Sequence, residues 1–138
     1  MDNVLAHLNT LSSPLVETLG IRLESATEDE VVASMIVDPA KHFHPWGAVH
    51  GGVYCAIIET LATLGAQMSA VPAGKLASGI ENHTSFLRQV RGGELRARGK
   101  AIQRGRQMHL WEVRITDEQD RIVAHGTVRL ALLDGPAK

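Results

Sequence analysis

One long apolar stretch divides the chain. From about Gly51 to Val71 the residues are largely Ala, Ile, Leu and Met, and apolar positions fall on nearly every side of a helical projection. A helix of that kind is expected to be buried all round. Pro72 and Gly74 should stop it. Upstream, residues 2–18 place Val4, Leu5, Leu8 and Leu11, then Leu15, Val16 and Leu19, at roughly helical spacing. Pro14 after Ser12-Ser13 reads as a cap and first turn, so two short helices are expected there. Two candidate strands follow, Ile21–Thr27 and Val31–Val37, parted by the acidic turn EDE. The second, VVASMIVD, has the β-branched bias of a strand. Asp38-Pro39 opens a loop, PAKHFHPWGAVHGG, which runs into the apolar helix.

Beyond the helix the pattern is β to the end. Leu76–Val90, Glu94–Arg104, Gln107–Thr116 and Arg121–Leu133 form four long candidate strands, joined at RGG, RGR and DEQD. MHLWEVRIT alternates with period 2: His109, Trp111, Val113 and Ile115 share one face, and Met108, Leu110, Glu112, Arg114 and Thr116 the other. That suits a sheet covered on one side. Two early strands, one apolar helix and four later strands predict an α+β domain whose antiparallel sheet wraps the helix. Six strands around a helix of about 20 residues, ~30 Å long, make the hotdog arrangement. No repeat or linker interrupts residues 1–138, so one domain is expected.

Composition narrows the function classes. With 138 residues and a net charge of −1, no global basic field recruits nucleic acid or an acidic membrane, and any anionic ligand must be gripped by a local Arg or Lys cluster. The single cysteine, Cys55, excludes an intrachain disulfide and fits a reducing compartment. The segment MDNVLAHLNTLSSPLVETLG lacks a basic start followed by an apolar run, so no secretory leader is expected. Glu59, Thr60, Thr63, Gln67 and Ser69 interrupt the apolar stretch and argue against a membrane span. The expected location is the cytoplasm.

Candidate chemistry gathers where the loop meets the helix. Gly51 and Gly52 after His50 allow a ligand close to the backbone. The first helical amides have no intrahelical partner and sit at the positive end of the dipole. Developing negative charge on a carbonyl oxygen placed there would be stabilised by about 2.7–4 kcal/mol per donor. The plainer reading is a tight loop-to-helix junction. Glu59 lies in the apolar run YCAIIETLA, where an unpaired carboxylate costs several kcal/mol if fully buried. It is either a structural partner of a buried Arg or hydroxyl, or an acting nucleophile or base. Thr63, four residues on, can hydrogen-bond it or its water. His42, His44 and His50 crowd the loop, but H-x-H without HExxH or a cysteine cluster is weak, and no metal is expected.

Spacing adds a constraint. Gly51 and Glu59 are eight residues apart, about 12 Å along one helix. A reacting carboxylate must lie about 3–3.5 Å from the atom it attacks, so the two cannot serve one substrate within one chain. If both act, two antiparallel helices around a two-fold axis must bring them together, and the chain works at least as a dimer.

The runs HPWGAVHGGVYCAIIETLAT and NHTSFLRQVRGGELRA, with the later GR turn, resemble the hotdog-fold thioesterases related to the phenylacetate-pathway enzyme. More narrowly, they resemble the 4-hydroxybenzoyl-CoA thioesterases of the Arthrobacter type. The resemblance spans roughly residues 20 to 132. It implies acyl-CoA hydrolysis with Glu59 as nucleophile or general base, the Gly51 amide polarising the thioester carbonyl, His50 supporting the loop and Thr63 orienting the water or Glu59. The position six residues before the HGG histidine usually holds Gln or Asn; here it is His44. The resemblance also implies coenzyme A contacts from Gly52, Ser85, Arg88 and the turn Arg104-Gly105-Arg106-Gln107, where Arg suits phosphate. The plainer readings are solvated turn arginines and a cross-strand ion pair for Arg88. Coenzyme A would be part of the substrate, with no further cofactor, and the assembly would be a dimer or a tetramer of two dimers. Trp46, Tyr54, Ile58 and Met68 are the expected walls for a benzoyl, hydroxybenzoyl, phenylacetyl or medium-chain acyl group. The alternatives are a hotdog hydratase or dehydratase of acyl thioesters and a non-catalytic acyl-CoA-binding module.

Overall fold

The computed structural model describes residues 13–135. The first of the two expected N-terminal helices lies outside these residues. The second is α1, Pro14–Leu19, which Ser13 caps by accepting from Val16 N at 3.3 Å. The sheet strands are β1 Arg22–Ala26, β2 Glu30–Ile36, β3 Lys75–Phe86, β4 Glu94–Arg104, β5 Met108–Thr116 and β6 Ile122–Asp134. They form one antiparallel sheet in the order β1-β2-β4-β5-β6-β3, as expected for the hotdog fold. The loop between β2 and the long helix contains an unexpected turn of helix, α2, Pro39–His42, capped by Asp38, whose side chain accepts from Ala40 N at 2.9 Å.

The long helix α3 runs Gly51–Ala70 and tightens into a 3₁₀ turn, Val71–Ala73, before Gly74 at φ 74° ends it. It packs against β2 through β6. Val53, Tyr54, Ile57, Ile58, Leu61, Ala62, Gly65 and Ala66 face the sheet and are buried. They meet Val31, Ala33, Trp111, Val113, Ile115 and Leu130 in one core. Gly65 lies under the Trp111 ring, where a Cβ would collide with it. The expectation of burial on every side needs correction: Cys55, Ala56, Glu59, Thr60, Thr63, Leu64, Gln67 and Met68 form an opposite face that is only half-buried. No helix among the described residues is long and apolar enough to cross a membrane.

β3 is an edge strand, and most of it is exposed. A bulge between Gly79 and Glu81 shifts its register on β6. The strand ends at Phe86 rather than Val90 because Leu87 N and Arg88 N both turn to Val123 O, at 2.8 and 3.2 Å. Arg88 therefore lies in a loop, not on a strand.

Candidate active site

The loop ahead of α3 is fixed by backbone bonds. His44 N donates to Ala48 O at 2.9 Å, His50 N to His42 O at 2.8 Å and Val49 N to Val90 O at 2.9 Å. Gly47 takes φ 83°, a conformation open to glycine without a Cβ clash, and Arg91 Nη1 donates to Gly47 O at 2.9 Å. His50 caps α3: its Nδ1 accepts from Gly52 N at 2.8 Å, and its carbonyl accepts from Val53 N at 2.9 Å. Those bonds occupy two of the first helical amides and leave the Gly51 N–H without an acceptor among the described residues. Gly52, expected to meet the ligand, has its amide engaged by His50. A side chain at Gly51 would collide with Phe86, its Cβ 2.6 Å from the ring, so the aromatic side chain of β3 packs against this residue.

Glu59 sits two turns on, on the half-buried face, so the expectation of a fully enclosed carboxylate does not hold within one chain. Thr63 Oγ1 points to Glu59 Oε1 at 3.5 Å, the outer limit of a hydrogen bond, as the spacing predicts. Asn82 Nδ2 donates to Glu59 Oε2 at 3.2 Å. Gly79 of β3 lets the strand pass beside the carboxylate, since a Cβ there would collide with Oε1. Asn82, Gly79 and Phe86 were not among the residues singled out from the sequence, although the NHTSF run contained two of them.

The loop histidines separate in role. His42 is buried, with Nδ1 accepting from Asp38 N and Nε2 meeting Leu19 O, each at 2.8 Å. Both ring nitrogens serve the backbone, and no lone pair is left for a metal. His44 Nδ1 accepts from Trp46 N at 3.2 Å, and the two rings lie 5.8 Å apart. No group of three or more His, Cys, Asp or Glu among the described residues is placed to hold a metal.

The expected acyl walls do not converge in one chain. Tyr54 and Ile58 face the core, Met68 lies on the opposite side of α3, and Trp46 is 81% exposed on the loop. Burial pushes the Tyr54 phenol up to about 12. Its ring lies 6.0 Å from that of Phe86, which extends an aromatic surface from the core toward the Gly51 amide.

The expected coenzyme A contacts fall in two places. Ser85 is exposed near the end of β3, and Arg88 is exposed in the loop beyond. The turn Arg104-Gly105-Arg106-Gln107 lies at the other end of the sheet, where Gln107 O accepts from Leu132 N and Leu132 pairs with Ala77. Ala77 and Leu87 are separated by roughly 30 Å of strand. Arg104 is engaged by the β1–β2 turn, 3.3 Å from Glu28 Oε1 and 2.8 Å from Asp29 Oδ1. Gly105 N closes the turn on Met108 O at 2.9 Å. Arg88 and Arg106 carry no ion pair among the described residues.

This fold and this helix are shared with known proteins. A family model described as the thioesterase superfamily matches residues 47–124, from the Gly47 turn through α3 and into β6. A Mycobacterium tuberculosis protein provisionally named an esterase is 37% identical over 123 residues, covering 88% of this chain and 87% of that one. Its solved structure superposes with a TM-score of 0.87, covering 91% and 100% of the two chains. A thioesterase structure from Haemophilus influenzae gives a TM-score of 0.87 at 32% identity, covering 94% and 90%. A 1,4-dihydroxy-2-naphthoyl-CoA hydrolase of Listeria monocytogenes is 30% identical over 118 residues, covering 86% and 94%. The family match over residues 47–124, the identity to these relatives and the shared sheet and helix lead to one assignment: the chain belongs to the thioesterase superfamily and is a thioester hydrolase of the hotdog fold.

Proposed function

We propose that the chain hydrolyses acyl-coenzyme A thioesters in a site shared by two copies. Glu59 of one copy attacks the thioester carbonyl or activates water, and the Gly51 amide of the other polarises the carbonyl oxygen. One observation carries this reading: both groups stand on one unbroken helix, Gly51–Ala70, on which eight residues separate them by about 12 Å. Neither can reach the other's substrate atom within a chain. The half-buried face of α3 and the exposed residues Ile80 and Phe86 of the edge strand offer the surface where a second helix would lie antiparallel. There Thr63 orients the carboxylate or its water, His50 holds the helix start, and His44 takes the place of the usual amide side chain.

An aromatic acyl group suits this site. Phe86 beside Gly51, the exposed Trp46 and the Listeria relative's naphthoyl-CoA substrate all support it, as does the narrower resemblance to hydroxybenzoyl-CoA thioesterases. For the nucleotide, two separate places offer guanidinium groups for bidentate phosphate contacts, Arg88 beside Ser85 and Arg106 beside Gly105 and Gln107; lying at opposite ends of the sheet, they would serve one nucleotide only from different copies. Pairing of two dimers into a tetramer is supported by the exposed Leu76, Met108 and Leu133 at one end of the sheet. A cytoplasmic setting with Cys55 as a free thiol completes the proposal.

A panel of benzoyl-, hydroxybenzoyl-, phenylacetyl- and medium-chain acyl-CoAs, assayed for thiol release, tests the reading. Glu59→Ala is expected to lose at least about a thousandfold in kcat/KM. Undiminished hydrolysis by that variant overturns the mechanism, and full activity in a monomer overturns the shared site. Hydration of enoyl-CoA without thiol release points instead to the hydratase chemistry.

A further inference from the structure

We infer that Asn82 is a positioning residue for the Glu59 carboxylate, an inference resting on the reading of Glu59 as the acting group. An asparagine on an exposed edge strand could leave its amide to water. Here the amide nitrogen reaches α3 twice, to Glu59 Oε2 and to Cys55 O, each at 3.2 Å. Cys55 precedes Glu59 by one turn, so its carbonyl also accepts the Glu59 N–H within the helix. Asn82 thereby grips the backbone and the carboxylate of the same turn.

Both partners can only accept hydrogen bonds when Glu59 is ionised, so the orientation of the amide is determined. Its NH₂ must face the helix, and Oδ1 must face away. Thr84 Oγ1 supplies the matching donor to Oδ1 at 2.6 Å. The chain Thr84–Asn82–Glu59 fixes the second carboxylate oxygen, while Thr63 approaches the first from 3.5 Å. Gly79 closes a further side, because the strand backbone runs where a larger residue would displace Oε1. The carboxylate is thus held in one plane before any substrate arrives. Attack on a thioester carbon rewards such pre-alignment, since small displacements of a reacting group cost large factors in rate.

Besides Glu59, the titratable groups of α3 and β3 are Tyr54, Cys55, Lys75, Glu81 and His83, and His109 lies on the inner face of β5. Glu81 pairs with Arg129 at 3.5 Å. Burial first, and then the Arg104 charge, holds His109 below its ordinary range. Arg96, Arg98 and Lys100 of β4 are exposed, in alternation with buried Leu95, Ala97 and Gly99.

The test compares Asn82→Ala, Asn82→Asp and Thr84→Val with wild type and Glu59→Gln, each as the assembled protein, using the best substrate of the acyl-CoA panel. Asn82→Ala is expected to lower kcat between about ten- and a hundredfold with KM within about twofold. Asn82→Asp keeps the shape but sets a carboxylate against a carboxylate. It should lower kcat further and move the acid limb of the pH–rate profile to higher pH. Thr84→Val should act in the same direction by a few-fold, and it carries the test if an Asn82 variant does not fold. Wild-type kcat and an unmoved acid limb in the Asn82 variants, beside an inactive Glu59→Gln, overturn the inference. So does a loss of kcat matched by a rise in KM and a fall in Tm, which marks a purely structural role. If Glu59→Gln itself hydrolyses at the wild-type rate, the reading of Glu59 fails and this inference goes with it.

Discussion

The two faces of α3 are built on opposite principles. Toward the sheet, side chains repeat at i, i+1, i+4 and i+5 from Val53 to Ala66, all buried, and Gly65 is reduced to a hydrogen so that the Trp111 ring can sit against the backbone. Away from the sheet, the same helix carries Glu59, Thr60, Thr63 and Gln67, all half-buried: Glu59 and Gln67 are bonded to β3, Thr63 donates to Glu59, and Thr60 donates to Ala56 O within the helix. One face gains its stability from burial and tolerates no change of volume. The other holds its polar groups with hydrogen bonds and keeps part of its surface available. Folding and chemistry share twenty residues by dividing the cylinder lengthwise.

That division can be broken in graded steps. Gly65→Val drives a branched side chain into the Trp111 ring, and we expect a loss of about 3 kcal/mol or more, read as a collapse of the urea unfolding midpoint. Gln67→Leu removes the amide that donates to Ala77 O at 3.0 Å and accepts from Ala77 N at 3.1 Å. It should cost about 1–3 kcal/mol by leaving both backbone groups unpaired. Glu59→Ala should change stability by no more than about 0.5 kcal/mol while abolishing thiol release. A Glu59→Ala protein destabilised as strongly as the Gly65 variant would erase the distinction between the faces.

The sequence made the landmarks along α3 and the later strands legible, and left hidden which side of the helix faces the sheet. Gly51, His50 and Glu59 could be read directly because they lie in one continuous segment whose spacing on a helix is fixed. The strands from Glu94 onward could be read from their alternation, to within one residue at each end. Asn82 and Phe86 could not be placed. Their relation to α3 depends on which way β3 turns its side chains, and the bulge at Ile80 resets that alternation in mid-strand. Tyr54 and Ile58 read from the sequence as pocket walls because a helix apolar on nearly every side has no visible inner side. Arg104 looked free in its turn; the carboxylates that engage it come from the β1–β2 turn, more than seventy residues earlier.

The bond pair between Gln67 and Ala77 has a consequence beyond its contribution to stability. An open edge strand invites any extended chain to add to it, and unchecked addition leads to fibres. At Ala77 both backbone groups are already satisfied by a side chain, so a strand extending the sheet cannot dock there without displacing it. A strand that crosses Ala77 must give up two of its own backbone bonds there. An edge interrupted in this way resists open-ended growth, and the interruption is made by a glutamine on the helix.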